Sequence, residues 1–184
     1  ILVTKDINFR VKCDSLGIHS EDYYKDKIQL EDQGAFKGYS EIEASDPFLI
    51  DELYDYTKNK NKDNDMLEDF LEIFKEKFNR TPYENEYFCV KYDSSSFLGR
   101  YEEGDIARVR PAGDLLESFS RLDIKAKNRE QLYALNSLLD PSLPLVTISG
   151  LAGSGKTFIT LMAAYAMVQA GYYDRIVFTR NVQP

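Results

Sequence analysis

The sequence is poor in the residues that most hydrolytic and redox chemistry needs. It has one histidine, His19, in 184 residues, so any nuclease or hydrolase mechanism built on two histidines is excluded. Its two cysteines, Cys13 and Cys89, stand far apart and match no zinc or redox spacing. A reduced, cytoplasmic protein is the simpler expectation. There is no signal-peptide pattern and no apolar run long enough to span a bilayer. Basic charge is also scarce, with 23 Lys and Arg against 31 Asp and Glu, a net of −8. That excludes a globally basic clamp for nucleic acid.

The charge is uneven. Residues 1–27 balance to zero, residues 28–117 carry −11, and residues 118–184 carry +3. A polyanion would therefore favour the C-terminal part. With 13 tyrosines, 11 phenylalanines and 43% hydrophobic residues, the chain can build a packed core, and wholesale disorder is excluded.

The stretch that carries chemistry is Ser149-Gly150-Leu151-Ala152-Gly153-Ser154-Gly155-Lys156-Thr157. It fits G-x-x-x-x-G-K-[ST], a match expected by chance on the order of once per hundred chains of this length. Before it, Pro144 to Ser149 reads as a buried parallel strand. After it, Phe158 to Val168 reads as a helix buried on most sides, closed by Gly171 as a C-cap glycine. Strand, glycine loop and helix form the setting this motif requires. Glycines let the loop aim backbone N–H groups at phosphate oxygens, and the helix start adds partial positive charge. Lys156 can reach β- and γ-phosphates, and the Thr157 hydroxyl can ligand Mg²⁺. The alternative is a glycine turn before a core helix. The setting favours a nucleotide-phosphate site at Gly150, Leu151, Ala152, Gly153, Ser154, Gly155, Lys156 and Thr157.

Upstream, Asn128-Arg129-Glu130-Gln131 opens a helix carrying Leu132, Leu135, Leu138 and Leu139. Gln131 precedes Gly150 by 19 residues. Its amide offers the donor and acceptor needed to read an adenine edge; a surface glutamine is an equal reading from spacing alone.

At the other end, Ile1-Leu2-Val3-Thr4 reads as a strand and places Asp6 just past its C-terminal edge, where ligands and metals collect in parallel sheets. Asp6 is a candidate ligand for a hard cation, with Asn8 a neutral donor nearby. It is equally an N-cap for the following helix, in which Phe9, Cys13 and Leu16 recur before Gly17.

Residues 28–117 show no catalytic signature. Ile28 to Ile42 reads as short strands broken at Gly34 and Gly38. Ser45-Asp46-Pro47 starts a helix with Phe48, Leu49, Leu53 and Tyr54 on one face. Lys58 to Asp65 reads as a solvated loop. Leu67, Phe70, Leu71, Phe74 and Phe78 form an amphipathic stripe, read as core. Glu86–Tyr92, Phe97–Tyr101 and Ile106–Val109 read as a small antiparallel sheet with a turn at Asp93 to Ser96. Arg100, Arg108 and Arg110 alternate with Tyr92, Phe97 and Tyr101. They either stack on single-stranded RNA or mark the two faces of a half-buried sheet, and the surrounding acidity favours the sheet.

Ile124–Asp140, the P-loop strand, the GLAGSGKT loop and Tyr173–Arg180 together resemble the start of a PhoH-family ATPase. Arg180 to Pro184 keeps that family's arginine and last proline but departs between them. The resemblance implies a P-loop ATPase with a parallel sheet related to superfamily-1 helicases, in which a glutamine upstream of the loop contacts adenine, the place of Gln131 here. It implies ATP and Mg²⁺ as ligands. Ile1–Tyr24 resembles the last strand–helix portion of a PIN domain, a Mg²⁺- or Mn²⁺-dependent ribonuclease fold, with Asp6 at one of its late acidic positions. Asn8 stands where many members carry another acid.

The two resemblances together imply a PIN–PhoH fusion coupling ATP hydrolysis to unwinding and cleavage of single-stranded RNA, with a homo-oligomer open. The fold class expected is α/β: a PIN-like end at 1–27, an acidic α+β middle at 28–117, and the N-terminal part of a P-loop domain at 118–184. The chain opens on a strand without methionine and stops just after another, so a piece of a longer protein is expected. Because Asp174 is the only acid after Thr157 and precedes its strand, nucleotide binding without turnover is expected of these 184 residues. Two rivals remain: a P-loop kinase of a small molecule, and a non-enzymatic assembly module.

Overall fold

The computed structural model describes residues 2–3, 7–21, 36–59 and 64–179. The chain divides into two compact units, Ile1–Lys37 and Gly38–Pro184.

In the first unit, β1 (Leu2–Val3) and β2 (Ser20–Glu21) pair in parallel, Leu2 with Ser20 and Val3 with Glu21, joined through helix α1 (Ile7–Ser15). A parallel pair needs such a crossover, because a tight turn can only join antiparallel strands. Gly17, at φ 70°, ends the helix as its sequence position predicts, with the Ile18 N–H closing on the Cys13 carbonyl. The expected apolar face is thinner than its spacing implies. Cys13 is buried, whereas Phe9 and Leu16 are exposed.

The second unit begins with β3 (Tyr39–Glu43), followed by helices α2 (Phe48–Lys58) and α3 (Asn64–Phe78). Then come β4 (Tyr87–Tyr92), β5 (Ser95–Glu102) and β6 (Asp105–Arg108). The sheet order is β3-β4-β5-β6. The predicted antiparallel meander is present in β4–β6, and β3 adds a parallel edge that α2 and α3 make possible as a crossover. The β5–β6 turn is Glu103-Gly104, both at positive φ (53° and 78°), the backbone a two-residue hairpin needs to match strand twist.

Side-chain alternation gives this sheet two buried faces. On one, Ile42, Phe88, Val90, Phe97 and Ile106 pack with Ile50, Leu53 and Tyr56 of α2 and Phe70 and Phe74 of α3. The α3 stripe is core, as its spacing predicts. The α2 face is wider than expected: Leu53 is buried and Leu49 and Tyr54 pack against the core as predicted, Ile50 and Tyr56 are buried beside them, and only Phe48, 71% exposed, turns away. The Asp46 side chain caps this helix, accepting from the N–H groups of Phe48 and Leu49.

Short helices α4 (Ala112–Leu115) and α5 (Glu117–Ser120) lead to α6 (Arg129–Leu138) and α7 (Lys156–Gln169). A further core joins Phe119, Leu135 and Leu139 to Ile159, Ala163, Ala166 and Met167. Helix α6 covers the second face of the sheet, where the Tyr133 and Tyr87 rings stack 4.7 Å apart. Helix α7 is buried along one stripe, Ile159, Ala163, Ala166 and Met167, and not on most sides: Phe158 and Tyr165 are exposed. Gly171, at φ 80°, ends it in a Schellman motif, with Tyr172 N–H on Met167 O and Gly171 N–H on Val168 O.

Two strand expectations are also corrected. Residues 144–149 and 176–178 do not form strands of a parallel sheet among the described residues. A strand exists through its ladder bonds, and neither segment has a ladder partner among the described residues; Leu145 is 79% and Val177 74% exposed. The observed fold is mixed α/β with a four-stranded sheet, compatible with a P-loop-like segment. No described helix is long and apolar enough to cross a membrane.

Candidate functional site

The glycine loop turns back on itself between residue 149 and α7. Gly150, Gly153 and Gly155 have φ of 151°, 79° and 85°, conformations that side-chain-bearing residues rarely adopt. Gly155 is the N-cap of α7, and its carbonyl receives the Ile159 N–H at 3.0 Å. The loop therefore ends where α7 presents unpaired N–H groups and the positive end of its dipole.

Lys156, the first residue of α7, folds over the loop. Its ammonium donates to the carbonyls of Gly150 (2.8 Å) and Leu151 (2.7 Å) and reaches the Ser154 hydroxyl at 3.3 Å. Three acceptors meet the three N–H groups of an ammonium. A phosphate seated in the loop would take over this role as acceptor. Thr157 lies one residue on, in the first turn, and is exposed, as are Leu151, Ala152, Gly153 and Ser154. An exposed hydroxyl oxygen suits Mg²⁺, which takes few protein ligands and shares the rest with phosphate and water.

Gln131 meets the loop from α6. Its Nε2 donates to the Ser154 carbonyl at 3.1 Å, and its Oε1 accepts the Lys127 N–H at 2.9 Å. The approach is close: a Cβ added at Gly155 would lie 3.1 Å from Gln131 Nε2. Asn128, in the run expected to open the helix, caps it, accepting the Gln131 N–H at 2.8 Å. The structure thus brings together Gln131 and all eight residues of the loop.

Asp6 lies outside the described residues. Asn8 is on α1, and its side chain is not described. No group of three or more His, Cys, Asp or Glu among the described residues could hold a metal ion.

The arginine–aromatic alternation resolves into two faces of the sheet. Phe97 is core. Arg100 is buried and committed, through Nη1 to Asp140 at 2.8 Å, Nε to Glu102 at 3.1 Å and Nη2 to Asn85 at 2.6 Å. Neither can stack on a base. An open cleft of about 700 Å³ nearby is lined by Arg100, Arg108 and Arg110, but also by Glu102, Glu103, Asp105 and Asp140. Its lining thus sets three arginines against four carboxylates.

Sequence reasoning missed a polar cluster behind Gln131. Arg129, the first residue of α6, crosses to Glu41 on β3 and also contacts Glu130, and its guanidinium lies 5.2 Å from the Tyr39 ring centre. Lys91 on β4 grips the same Glu41 at 2.6 Å. These hydrogen bonds, Lys91 first and then Arg129, hold the Glu41 carboxyl below the usual carboxylate range. Burial works to lower the Arg129 pKa, but its bonds to Glu41 and Glu130 outweigh it and raise it. No motif marks these residues, because Glu41 and Arg129 are 88 positions apart.

Comparison with known proteins adds to the geometry. Residues 123–183 match the model of the PhoH-like protein family. Across the whole chain, a protein of Bacillus subtilis strain 168 described as PhoH2 is 30% identical over 190 residues, covering 100% of this chain and 38% of the relative. A PhoH2 of Thermobispora bispora is 26% identical over 181 residues, covering 98% and 36%. The chain thus spans well under half the length of the curated relatives it matches. No solved structure matches it. The family match over residues 123–183 and the two relatives together support a PhoH-family protein.

Proposed function

We propose that this chain binds ATP with Mg²⁺ as a PhoH-like P-loop ATPase module. The observation that carries this reading is the glycine loop opening α7, with the Lys156 ammonium held over it and the Gln131 amide against it. Backbone N–H groups of the loop and the start of α7 bind phosphate, Lys156 neutralises it, Thr157 helps hold Mg²⁺, and Gln131 reads adenine. Mg²⁺ would supply charge neutralisation between phosphate oxygens. Among the described residues Asp174 is the only carboxylate after Thr157, so these 184 residues bind nucleotide with little or no turnover.

The test is equilibrium binding of a fluorescent ATP analogue with Mg²⁺, competed by ATP and by GTP, for wild type and Lys156→Ala. Saturable binding, lost on substitution and poorly competed by GTP, is expected. Equal competition by GTP, or binding indifferent to Lys156, overturns the reading. Steady-state ATP hydrolysis by the 184 residues alone overturns the statement on turnover.

For the intact protein the reading extends to a PIN-type ribonuclease linked to the ATPase and acting on single-stranded RNA. It is supported by the likeness of Ile1–Tyr24 to the end of a PIN domain and by the parallel β1–α1–β2 crossover there. Manganese-dependent RNA cleavage by the intact protein that vanishes in Asp6→Ala is expected; cleavage unchanged by that substitution sinks it.

A further inference from the structure

The second sheet face and the glycine loop meet α6 from different directions. In the first turn of α6, Asn128 and Gln131 serve the loop side: Asn128 caps the turn through the Gln131 N–H, and the Gln131 amide bridges Lys127 to Ser154. Between them, Arg129 and Glu130 serve the sheet side. Arg129 bonds Glu41, and Glu130 accepts a longer bond, 3.4 Å, from the Tyr39 hydroxyl. Farther along, Ser137 pairs with the Tyr87 hydroxyl at 2.8 Å, and the Asn136 amide donates to the Arg110 carbonyl at 2.8 Å. The helix is thus fastened to the sheet at both ends.

At the Gln131 end, the strong tie to the sheet is Glu41–Arg129. The Arg129–Glu130 contact is local to the helix, and the Tyr39 bond is long. A group that reads a base must be held within a fraction of an ångström by neighbours that are themselves locked. Arg129 is only one-quarter exposed and Glu41 is gripped from its other side by Lys91, so both partners are held.

We propose that Glu41 is a positioning residue for nucleotide recognition: through Arg129 it holds the first turn of α6 so that the Gln131 amide stays seated against the glycine loop. The proposal rests on the nucleotide-binding reading of Gly150–Thr157. It gives the four-stranded sheet a role in base selectivity that is exerted through α6. It also predicts that Glu41 acts only through Gln131.

The experiment compares the intact protein with Glu41→Gln, Gln131→Ala, the double variant and Lys91→Met. It measures Kd for ATP and for GTP, and hydrogen–deuterium exchange without nucleotide. Glu41→Gln is expected to reduce the ATP-over-GTP preference about fivefold, the size of a typical coupling between contacting groups. In the double variant the preference should equal that of Gln131→Ala alone, and Lys91→Met, which loosens Glu41 but leaves its bond to Arg129, should lower the preference less than Glu41→Gln does. Exchange should quicken in residues 127–133 and 149–156 while the β4–β5 hairpin is unchanged.

A purely structural role for Glu41 would weaken ATP and GTP equally, or add to Gln131→Ala in the double variant; either result overturns the proposal. If wild type binds no nucleotide, the ATPase reading fails, and exchange alone decides the tie. Quickening confined to those two segments then upholds the tie, and exchange unchanged by Glu41→Gln overturns it.

Discussion

The Gln131 side-chain amide donates to the carbonyl of Ser154 across 3.1 Å, joining the first turn of α6 to the glycine loop 23 residues downstream. In that position one amide proton is committed to the loop. Gln131→Glu replaces the donor with a carboxylate facing a carbonyl and places negative charge beside a phosphate site. We expect ATP affinity to fall about tenfold or more for Gln131→Glu, and less for Gln131→Ala, which removes the amide without adding charge. Titration of an ATP analogue checks the order; an equal loss for both would remove charge from the explanation.

Among the described residues the Lys156 ammonium bonds only to the loop it covers, at two carbonyls and one hydroxyl. Losing them should leave the hydrophobic cores untouched. Lys156→Ala is therefore expected to lower nucleotide affinity about a hundredfold while the melting temperature moves by no more than about 2 °C. Differential scanning calorimetry beside the binding titration separates the two. A large drop in Tm would make the lysine a structural latch first.

Glu86 is the most completely buried charge described. Its side chain is fully shielded and accepts from Arg80 at 2.7 and 2.9 Å, the Ser40 hydroxyl at 2.6 Å and the Tyr83 N–H at 2.8 Å. Burial pushes its pKa up, but these four bonds outweigh burial and hold it below the ordinary glutamate value of 4.5. Removing one partner of such a pair strands the other, so Glu86→Ala should cost about 3 kcal/mol in urea unfolding. Arg80 is about one-quarter exposed, and water there keeps the loss from being larger. A loss under ~1 kcal/mol would place this pair among surface bridges.

The same depression sets the pH response. Glu41 is lowered by Lys91 and Arg129, and Asp140 is lowered by Ser142 and Arg100 against its burial. A carboxylate whose folded pKa lies below its unfolded one contributes stability above the unfolded value and loses it as pH falls through the folded value. The urea midpoint should therefore decline below about pH 4.5 as the unfolded chain takes up protons the folded chain refuses. Glu86→Gln should make that decline shallower. An unaltered slope in the variant would show that Glu86 titrates alike in both states.

Local features were legible in the sequence because their causes are local. The loop glycines, the helix start at Asn128 to Gln131, the Gly171 helix end and the Phe70–Phe74 stripe each depend on a few adjacent residues, and each is found where expected. The burial of Ile50 and Tyr56 on α2 and the exposure of Phe48 were not, because Phe48 fits a helical face equally well until the sheet decides which side is covered. The parallel pairing of β3 with β4 joins Ile42 to Val90 across two helices, and Glu41 reaches Arg129 across the second face; no local pattern encodes either. Residues 144–149 carry the apolar signature of a strand, but a strand also needs a neighbour, and none is paired with them among the described residues.

Gly99 tests how tightly the sheet and its helices are fitted. It sits in β5 opposite Phe88, and a Cβ there would lie 2.3 Å from Phe88 Cζ and 2.8 Å from Phe97 Cε1. Both rings are fully buried in the core shared with α2 and α3, so neither can swing into solvent. Gly99→Ala must displace an aromatic ring packed 4.5 Å from Phe70 or push the strand outward, and overpacking of this kind costs about 1–3 kcal/mol. Backbone freedom is not the reason for glycine here, since Gly99 is absent from the positive-φ residues. The cost should therefore be steric and reversible: Phe88→Leu, destabilising alone through its cavity, should recover part of the loss when combined with Gly99→Ala. A double-mutant cycle by urea unfolding reads this directly. Simple additivity of the two losses would mean that the strand, and not the Phe88 ring, gives way.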